Sequence, residues 1–389
     1  MNKQFERIEQ AFRDRYEGSP LMVRSPGRVN LIGEHTDYNG GFVLPAAIDK
    51  AVYFACALRP GRRCRFHAAD LGRDFEFELS PVIGKSGQGW PDYLLGVIDE
   101  AQLAGCAVPA VDCAFGGDIP VGAGLSSSAA LEAGFAFALN ELAGWGIPPL
   151  KLARLAQRAE NAFVGVQCGI MDQFANLFGL AGAVIRLDCR SLEFDYVPFD
   201  RPDLAVVLCD TGVRRALAGS EYNVRRRQCE EGVQVLRDLT LPVESLRDVT
   251  AEQLDTHRAA LDPVVLRRCR YVVEENARVL EACQALGRSD FTAFGERMWA
   301  SHRGLRDDYE VSCPELDALV EIAAGIPGVL GGRMMGAGFG GCTIHVVEAG
   351  AVEEFGRRIA AAYRERTGRE AAIHATRIEA GTSVVSSSH

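Results

Sequence analysis

Residues 116–132 read GGDIPVGAGLSSSAALE, a glycine- and serine-rich turn running into an apolar helix. Glycine permits positive φ and lets an anion approach the backbone closely. Serine can cap a helix start. The first helix amides lack intrahelical acceptors and point at whatever binds there. The chemistry implied is anion binding, and a phosphate chain fits best. An ordinary helix N-terminus after a tight turn would use some of the same residues. Four features together favour phosphate: Gly122 and Gly124 one residue apart, the run Ser126-Ser127-Ser128, the preceding Asp118-Ile119-Pro120, and the small residues of the helix. A Walker loop ends in Gly-Lys-Ser/Thr, and no lysine lies between Lys85 and Lys151. A dinucleotide fingerprint needs a third glycine where Ser127 stands. Residues 336–341, GAGFGG, do satisfy that fingerprint, but the alternating β-branched stretch after them predicts a strand instead of a helix. They read as a hairpin connection that must pass close to a ligand or to the first glycine loop.

Residues 27–41, GRVNLIGEHTDYNGG, concentrate donors and acceptors: Arg28, Asn30, Glu34, His35, Asp37, Tyr38 and Asn39. A surface loop can have such a composition, and one histidine can be purely structural. The density argues for a polyhydroxylated ligand such as a sugar. In residues 167–174, QCGIMDQF, Asp172 sits among apolar neighbours. A carboxylate there must be paired or shift its pKa. Arg28 is the candidate partner; a structural ion pair or a capping aspartate is the other reading.

These groups need a scaffold. Residues 40–48 and 51–58 read as paired strands with Asp49-Lys50 at the turn, and residues 75–79 alternate as a half-exposed strand. Helices are predicted over 93–104, 127–143 and 151–163, and strands over 184–187 and 204–209. The second half carries helical periodicity over 221–239, 264–286, 290–302 and 314–324. Strands near Thr343 and Ala371 flank a helix over 352–366. The N-terminus is a charged amphipathic helix without a signal peptide's apolar stretch. Arg225-Arg226-Arg227, followed by Glu230 and Glu231, reads as a solvated, ion-paired face.

The 389 residues suit two domains, with a boundary near 180–192. Net charge is −10 with no long basic run, which argues against nucleic acid. There is no run of about 18 apolar residues, so no membrane span is expected. The 12 cysteines show no zinc spacing and read as buried free thiols of a reducing compartment.

Together the three stretches resemble the galactokinase branch of the GHMP small-molecule kinases. GRVNLIGEHTDYNGG resembles the sugar signature, GAGLSSSAALE the phosphate loop, and GGRMMGAGFGGC (331–342) the third motif; SHRGLRDDYEVSCPE (301–315) is also similar. The motifs spread over nearly the whole chain. The resemblance implies an α+β, two-domain GHMP kinase fold with the active site in the cleft between residues 1–185 and 186–389. It implies ATP-dependent phosphorylation of the anomeric hydroxyl of D-galactose, the entry step of the Leloir pathway, in the cytoplasm. Glu34, His35, Thr36 and Asp37, with Gly169 and Tyr222, would hold the sugar. Gly122, Ala123, Gly124, Leu125, Ser126, Ser127 and Ser128 would cradle ATP, and Ser128 with Glu160 would hold Mg²⁺. Asp172 would be the base, and Arg28 would stabilise charge at the transferring phosphoryl group. Ala123 stands where some members have glycine, and Asn223 replaces a variable residue. Oligomeric state is open, with a monomer expected. Alternatives are an N-acetylgalactosamine or other sugar 1-kinase, a sugar- and ATP-binding sensor lacking chemistry, and a mevalonate or homoserine kinase. The sensor is disfavoured by the intact serine run and Asp172/Arg28 pair, the last two by the Glu34-His35-x-Asp37 cluster.

Overall fold

The computed structural model describes residues 3–120, 124–213 and 218–386. The first sheet joins β1 (Leu21–Asn30), β3 (Pro45–Leu58), β4 (Arg63–Ala68), β5 (Arg73–Glu78), β6 (Val111–Gly117) and β13 (Ser383–Val384) in the order β13-β1-β3-β6-β4-β5. The second joins β9 (Leu204–Asp210), β10 (Val329–Met334), β11 (Cys342–Glu348) and β12 (Ala372–Thr376) in the order β10-β11-β9-β12. The third is the small sheet β2 (Phe42–Val43), β7 (Ala183–Asp188) and β8 (Phe194–Pro198), in the order β2-β7-β8. Among the described residues eleven α-helices clothe them: α1 (Lys3–Arg13), α2 (Trp90–Leu103), α3 (Ser127–Ala143), α4 (Pro149–Arg158), α5 (Met171–Phe178), α6 (Ala218–Asp238), α7 (Ala251–Thr256), α8 (Pro263–Gly287), α9 (Phe291–Asp307), α10 (Pro314–Ala324) and α11 (Val352–Thr367). Among the described residues no helix is long and apolar enough to cross a membrane.

Period-two patterning makes the first sheet two-faced. Ala51, Tyr53 and Ala55 of β3 meet the apolar stripe Phe5, Ile8 and Phe12 of α1, spaced as one helical face requires. The alternate residues Val52, Phe54 and Cys56 enter the main core with Phe66, Phe115 and Phe135. Helix α3 reaches β1 so closely that a Cβ on Gly134 would lie 2.5 Å from Ser25 Cβ.

Two sequence expectations fail here. Residues 40–58 are not a hairpin: β3 runs unbroken through Asp49 and Lys50 beside β1, with Ala47 opposite Arg28 and Ala51 opposite Pro26. Those polar side chains find partners without a turn: Asp49 accepts from Thr376 Oγ1 of β12 at 2.6 Å, and Lys50 Nζ pairs with Asp49 at 3.8 Å and Asp118 at 4.0 Å. Residues 151–163 are not one α-helix either. Helix α4 ends at Arg158, and Ala159–Val164 forms a π-helical turn stopped by Gly165 at φ 101°. Such bulges often accompany functional sites, and this one carries Glu160.

Candidate active site

The register of β1 against β3 shifts between Pro26 and Arg28. A Cβ on Gly27 would sit 2.9 Å from Leu125 O, so the turn before α3 lies directly against the strand. The Arg28 amide donates to Leu125 O at 3.2 Å. Helix α5 is pinned to the same strand by Asn176, whose Nδ2 donates to Ser25 Oγ at 2.9 Å and Pro26 O at 2.5 Å. The first turn of α5 therefore presents Asp172 to Arg28. Arg28 Nε donates to Asp172 Oδ1 at 2.7 Å and Nη2 to Oδ2 at 2.8 Å, while Nη1 donates to Gly124 O at 2.5 Å. This two-pronged fork fixes the carboxylate in orientation as well as place. Burial alone would depress the Arg28 guanidinium, but the charge and hydrogen bonds of Asp172, with the charges of Glu34 and Asp37, together outweigh it and hold the pKa above its ordinary value.

Ser126 departs from the expected capping role. It stands at the N-cap of α3 in left-handed conformation (φ 54°) without a side-chain cap bond, and its hydroxyl donates to Asp172 Oδ2 instead. Ser127 opens α3. Leu125 is 2% exposed, so only its main chain can face a ligand. Gly122 and Ala123 lie outside the described residues. The 336–341 loop behaves as its glycines predict: a Cβ on Gly336 would be 3.9 Å from Gly124 Cα, and one on Gly338 would be 2.1 Å from Val311 O.

Beside the Arg28–Asp172 pair lies a cavity of about 380 Å³ lined by Glu34, His35, Asp37, Glu160, Gly169 and Tyr222 among others. Residue 169 must be glycine, because a Cβ there would fall 1.9 Å from Asp37 Oδ2. Burial, then the negative charge of Asp172, raise the Asp37 carboxyl to about 7. Burial, then the Arg225 charge, lower His35 to about 3, so its imidazole is neutral near pH 7. Glu34 accepts from the Gly336 amide at 2.9 Å and from Arg333 Nη2 at 3.2 Å. Thr36 does not line the cavity. Its hydroxyl donates to Gly33 O at 2.9 Å and Phe42 O at 2.6 Å, bracing the turn.

Glu160 and Ser128 come together at the other rim. Burial and the Asp172 charge raise the Glu160 carboxyl, and hydrogen bonds from Ser128, Cys168 and Gln173 oppose that rise. Gln173 Nε2 donates to Glu160 Oε2 at 2.8 Å. Among the described residues no group of three or more His, Cys, Asp or Glu could hold an ion. One carboxylate and one hydroxyl is nevertheless the sparse oxygen set that Mg²⁺ takes when phosphates and waters complete its shell, so the pair fits.

Residues 10–58 match the family model "Galactokinase galactose-binding signature", residues 92–180 "GHMP kinases N terminal domain" and residues 274–365 "GHMP kinases C terminal". A galactokinase of Roseiflexus sp. (strain RS-1) is 45% identical over 375 residues, covering 96% of this chain and 95% of its own. The chain belongs to the galactokinase family. Within that family, the crystal structure of Lactococcus lactis galactokinase complexed with galactose aligns with a TM-score of 0.94 at 36% identity, covering 98% of this chain and 99% of the other. A mevalonate kinase of Methanococcus jannaschii, with a TM-score of 0.66 at 17% identity over 93% of this chain and 99% of its own, shares the fold. The expected GHMP kinase architecture is thus present.

Several residues that shape this galactokinase-family site escape a sequence reading. Arg333 is fully buried and donates from Nε to Leu31 O at 2.8 Å and from Nη1 to Met334 O at 2.7 Å, besides reaching Asn30 O and Glu34. An arginine inside an apolar strand is the signal that was there to find. Arg225 overturns the solvated-face expectation. It is buried, donating to Tyr309 O and Glu310 O at 2.8 Å each, because this face of α6 packs against the α9–α10 connection. Arg226 does behave as expected, paired with Glu230 at 2.9 Å.

Proposed function

We propose that this protein transfers the γ-phosphoryl group of ATP to the anomeric hydroxyl of D-galactose, giving ADP and galactose 1-phosphate. The observation that carries the reading is the Arg28–Asp172 fork, placed between a carboxylate-rich cavity and the serine turn. Glu34 and Asp37 accept sugar hydroxyls, His35 adds a neutral imidazole, and Tyr222 supplies an aromatic wall. Gly169 leaves the room Asp37 needs, and Thr36 acts by bracing the turn. The segment 122–128 cradles the ATP phosphates through main-chain amides and serine hydroxyls. Ser128 and Glu160 hold Mg²⁺, which when bound offsets phosphate charge.

Asp172 takes the anomeric proton as the sugar oxygen bonds to the γ-phosphorus and the bridging oxygen leaves with ADP. Phosphoryl transfer depends mostly on positioning and charge stabilisation. Three donors, Arg28 Nε and Nη2 and Ser126 Oγ, hold the carboxylate in place. Arg28, adjacent to the turn through Gly124 O, lends positive charge to the transferring group. We also propose that the chain divides near residues 180–192 into two lobes around this cleft, with β13 returning to the first, and that it works in the cytoplasm.

Asp172→Asn tests the reading. A coupled ADP-release assay should show kcat lowered by several orders of magnitude while ATP affinity by calorimetry is nearly unchanged. Turnover within about tenfold, a barrier change of only ~1.4 kcal/mol, would remove Asp172 as the base. The same assay across galactose, N-acetylgalactosamine, glucose and arabinose should favour galactose.

A further inference from the structure

His35 carries a feature that the proposed reaction does not itself require. Its Nδ1 lies 2.8 Å from Tyr38 Oη, Tyr38 Oη lies 2.8 Å from Tyr309 Oη, and Tyr309 Oη lies 3.3 Å from Cys229 Sγ. The four side chains come from the sugar signature, α6 and the segment after α9. All four are buried or half-buried, and burial holds both phenols well above their ordinary pKa, so they keep their protons. The ring of His35 is further clamped by Tyr309 and Tyr222, with centroids 4.9 Å and 5.4 Å away. Its carbonyl accepts from Asn39 Nδ2 at 2.8 Å. The other ring nitrogen, Nε2, is buried and makes no close hydrogen bond among the described residues, while the Ala337 main chain lies near enough to the ring to favour a proton on it; both residues line the sugar cavity.

Each hydroxyl has one proton to give, so the chain has a direction. A phenol is a better donor than a neutral imidazole N–H, and an imidazole nitrogen is a better acceptor than a phenol oxygen. Tyr38 therefore donates to His35 Nδ1. Tyr38 oxygen is then free to accept, and Tyr309 donates to it. The Cys229 thiol, itself hydrogen-bonded by the Asn39 amide, completes the far end by donating to Tyr309.

We propose that the Tyr38–Tyr309 hydroxyl relay fixes His35 as the Nε2–H tautomer, so that the imidazole presents a donor and no acceptor on the side of the cavity lined by Ala337. Tyr38 and Tyr309 are then positioning residues for substrate selection, and neither touches the reacting atoms. The role toward the sugar rests on the galactose kinase reading above. A sugar oxygen contacted by His35 must be an acceptor, and its own proton is left for a carboxylate such as Glu34 or Asp37. This pairing, one fixed donor beside a carboxylate acceptor, rejects a sugar whose group at that position cannot do both.

The test is a long-range ¹H–¹⁵N spectrum of ¹⁵N-histidine-labelled protein, with His35 assigned by the signals lost in His35→Asn. The wild type should show the Nε2–H tautomer throughout pH 6 to 8. Y38F should convert it to a mixture or to the other tautomer, Y309F should move it part of the way, and Y38F/Y309F should match Y38F. In steady state, Y38F should raise KM for galactose roughly fivefold with kcat and KM for ATP within about twofold, the pattern of lost uniform binding. An Nδ1–H tautomer in the wild type, or a tautomer indifferent to Y38F, overturns the relay. If Y38F does not fold, Y309F carries the same comparison. A wild type that shows the relay but phosphorylates no galactose would sink the kinase reading and leave the tautomer assignment standing.

Discussion

Asp37 and Asp172 face one cavity but are held by opposite means. Asp172 is gripped by Arg28 and Ser126, whereas Asp37 is buried and repelled by Asp172, which raises its pKa to about 7. In the unfolded chain Asp37 titrates near its ordinary value, so between about pH 4 and pH 7 the folded protein holds the extra proton. Its stabilising contribution is complete below that window and is lost as pH rises through it. Asp172→Asn removes one repelling charge and frees Arg28, so Asp37 should titrate at lower pH, as ¹³C-carboxyl NMR would record; an unmoved or raised midpoint contradicts the coupling. At Gly169 an added methyl would meet Asp37 Oδ2 at 1.9 Å. Gly169→Ala should therefore raise KM for galactose by tenfold or more, about 1.4 kcal/mol, with KM for ATP little changed. The Arg28–Asp172 pair was legible in the sequence because a carboxylate among apolar neighbours needs a counter-charge. Arg333 and Tyr309 were not, since each acts on groups hundreds of residues away and neither has a local pattern that names its partner.

At the scale of elements, β1 is the base on which the chemistry is mounted. Helix α3 and helix α5 both press on it, one at Gly134 and one through Asn176, and their N-terminal ends bring the serine turn and Asp172 to the Arg28 end of the strand. Gly134→Ala would place Cβ 2.5 Å from Ser25 Cβ and 2.6 Å from Phe54 Cε2. Overpacking of this kind costs about 1–3 kcal/mol. Calorimetry should show a lower Tm, and kcat should fall with it because α3 is pushed off the strand. An unchanged Tm would mean that the contact is soft. Helix α3 was readable end to end from its small apolar run bracketed by serines and Gly144. The π-helical turn was not, since one extra residue per turn hardly alters an apolar spacing. Strand β3 misled because Asp49-Lys50 is a turn signal locally, and the satisfaction of Asp49 by Thr376 comes from the far end of the chain.

At the scale of the molecule, each large sheet draws on distant segments. Strand β9 pairs with β11 on one side and β12 on the other, and the last strand, β13, pairs with β1. The helix-rich second half was evident from periodicity, but pairings between residues 23 and 384 leave no local signature. The returning segment is well tied down. Glu379 N donates to Ala47 O at 2.9 Å, Gly381 N to Gly179 O at 2.8 Å, Thr382 N to Asn176 O at 2.8 Å and Val385 N to Met22 O at 2.9 Å. Thr382 Oγ1 also donates to Asn176 Oδ1 at 2.5 Å, the side chain that pins α5 to β1. Each such bond contributes about 0.5–1.5 kcal/mol net. Deleting residues 378–389 should lower Tm by about 5 °C and reduce kcat through a loosened α5; full activity and an unchanged Tm in the shortened protein would show the tail to be dispensable. The return of the tail also sets an order of events during synthesis. Until residues 379–385 have emerged from the ribosome, the first strand keeps an open flank and α5 rests on an under-braced base, so full competence for phosphoryl transfer follows their docking.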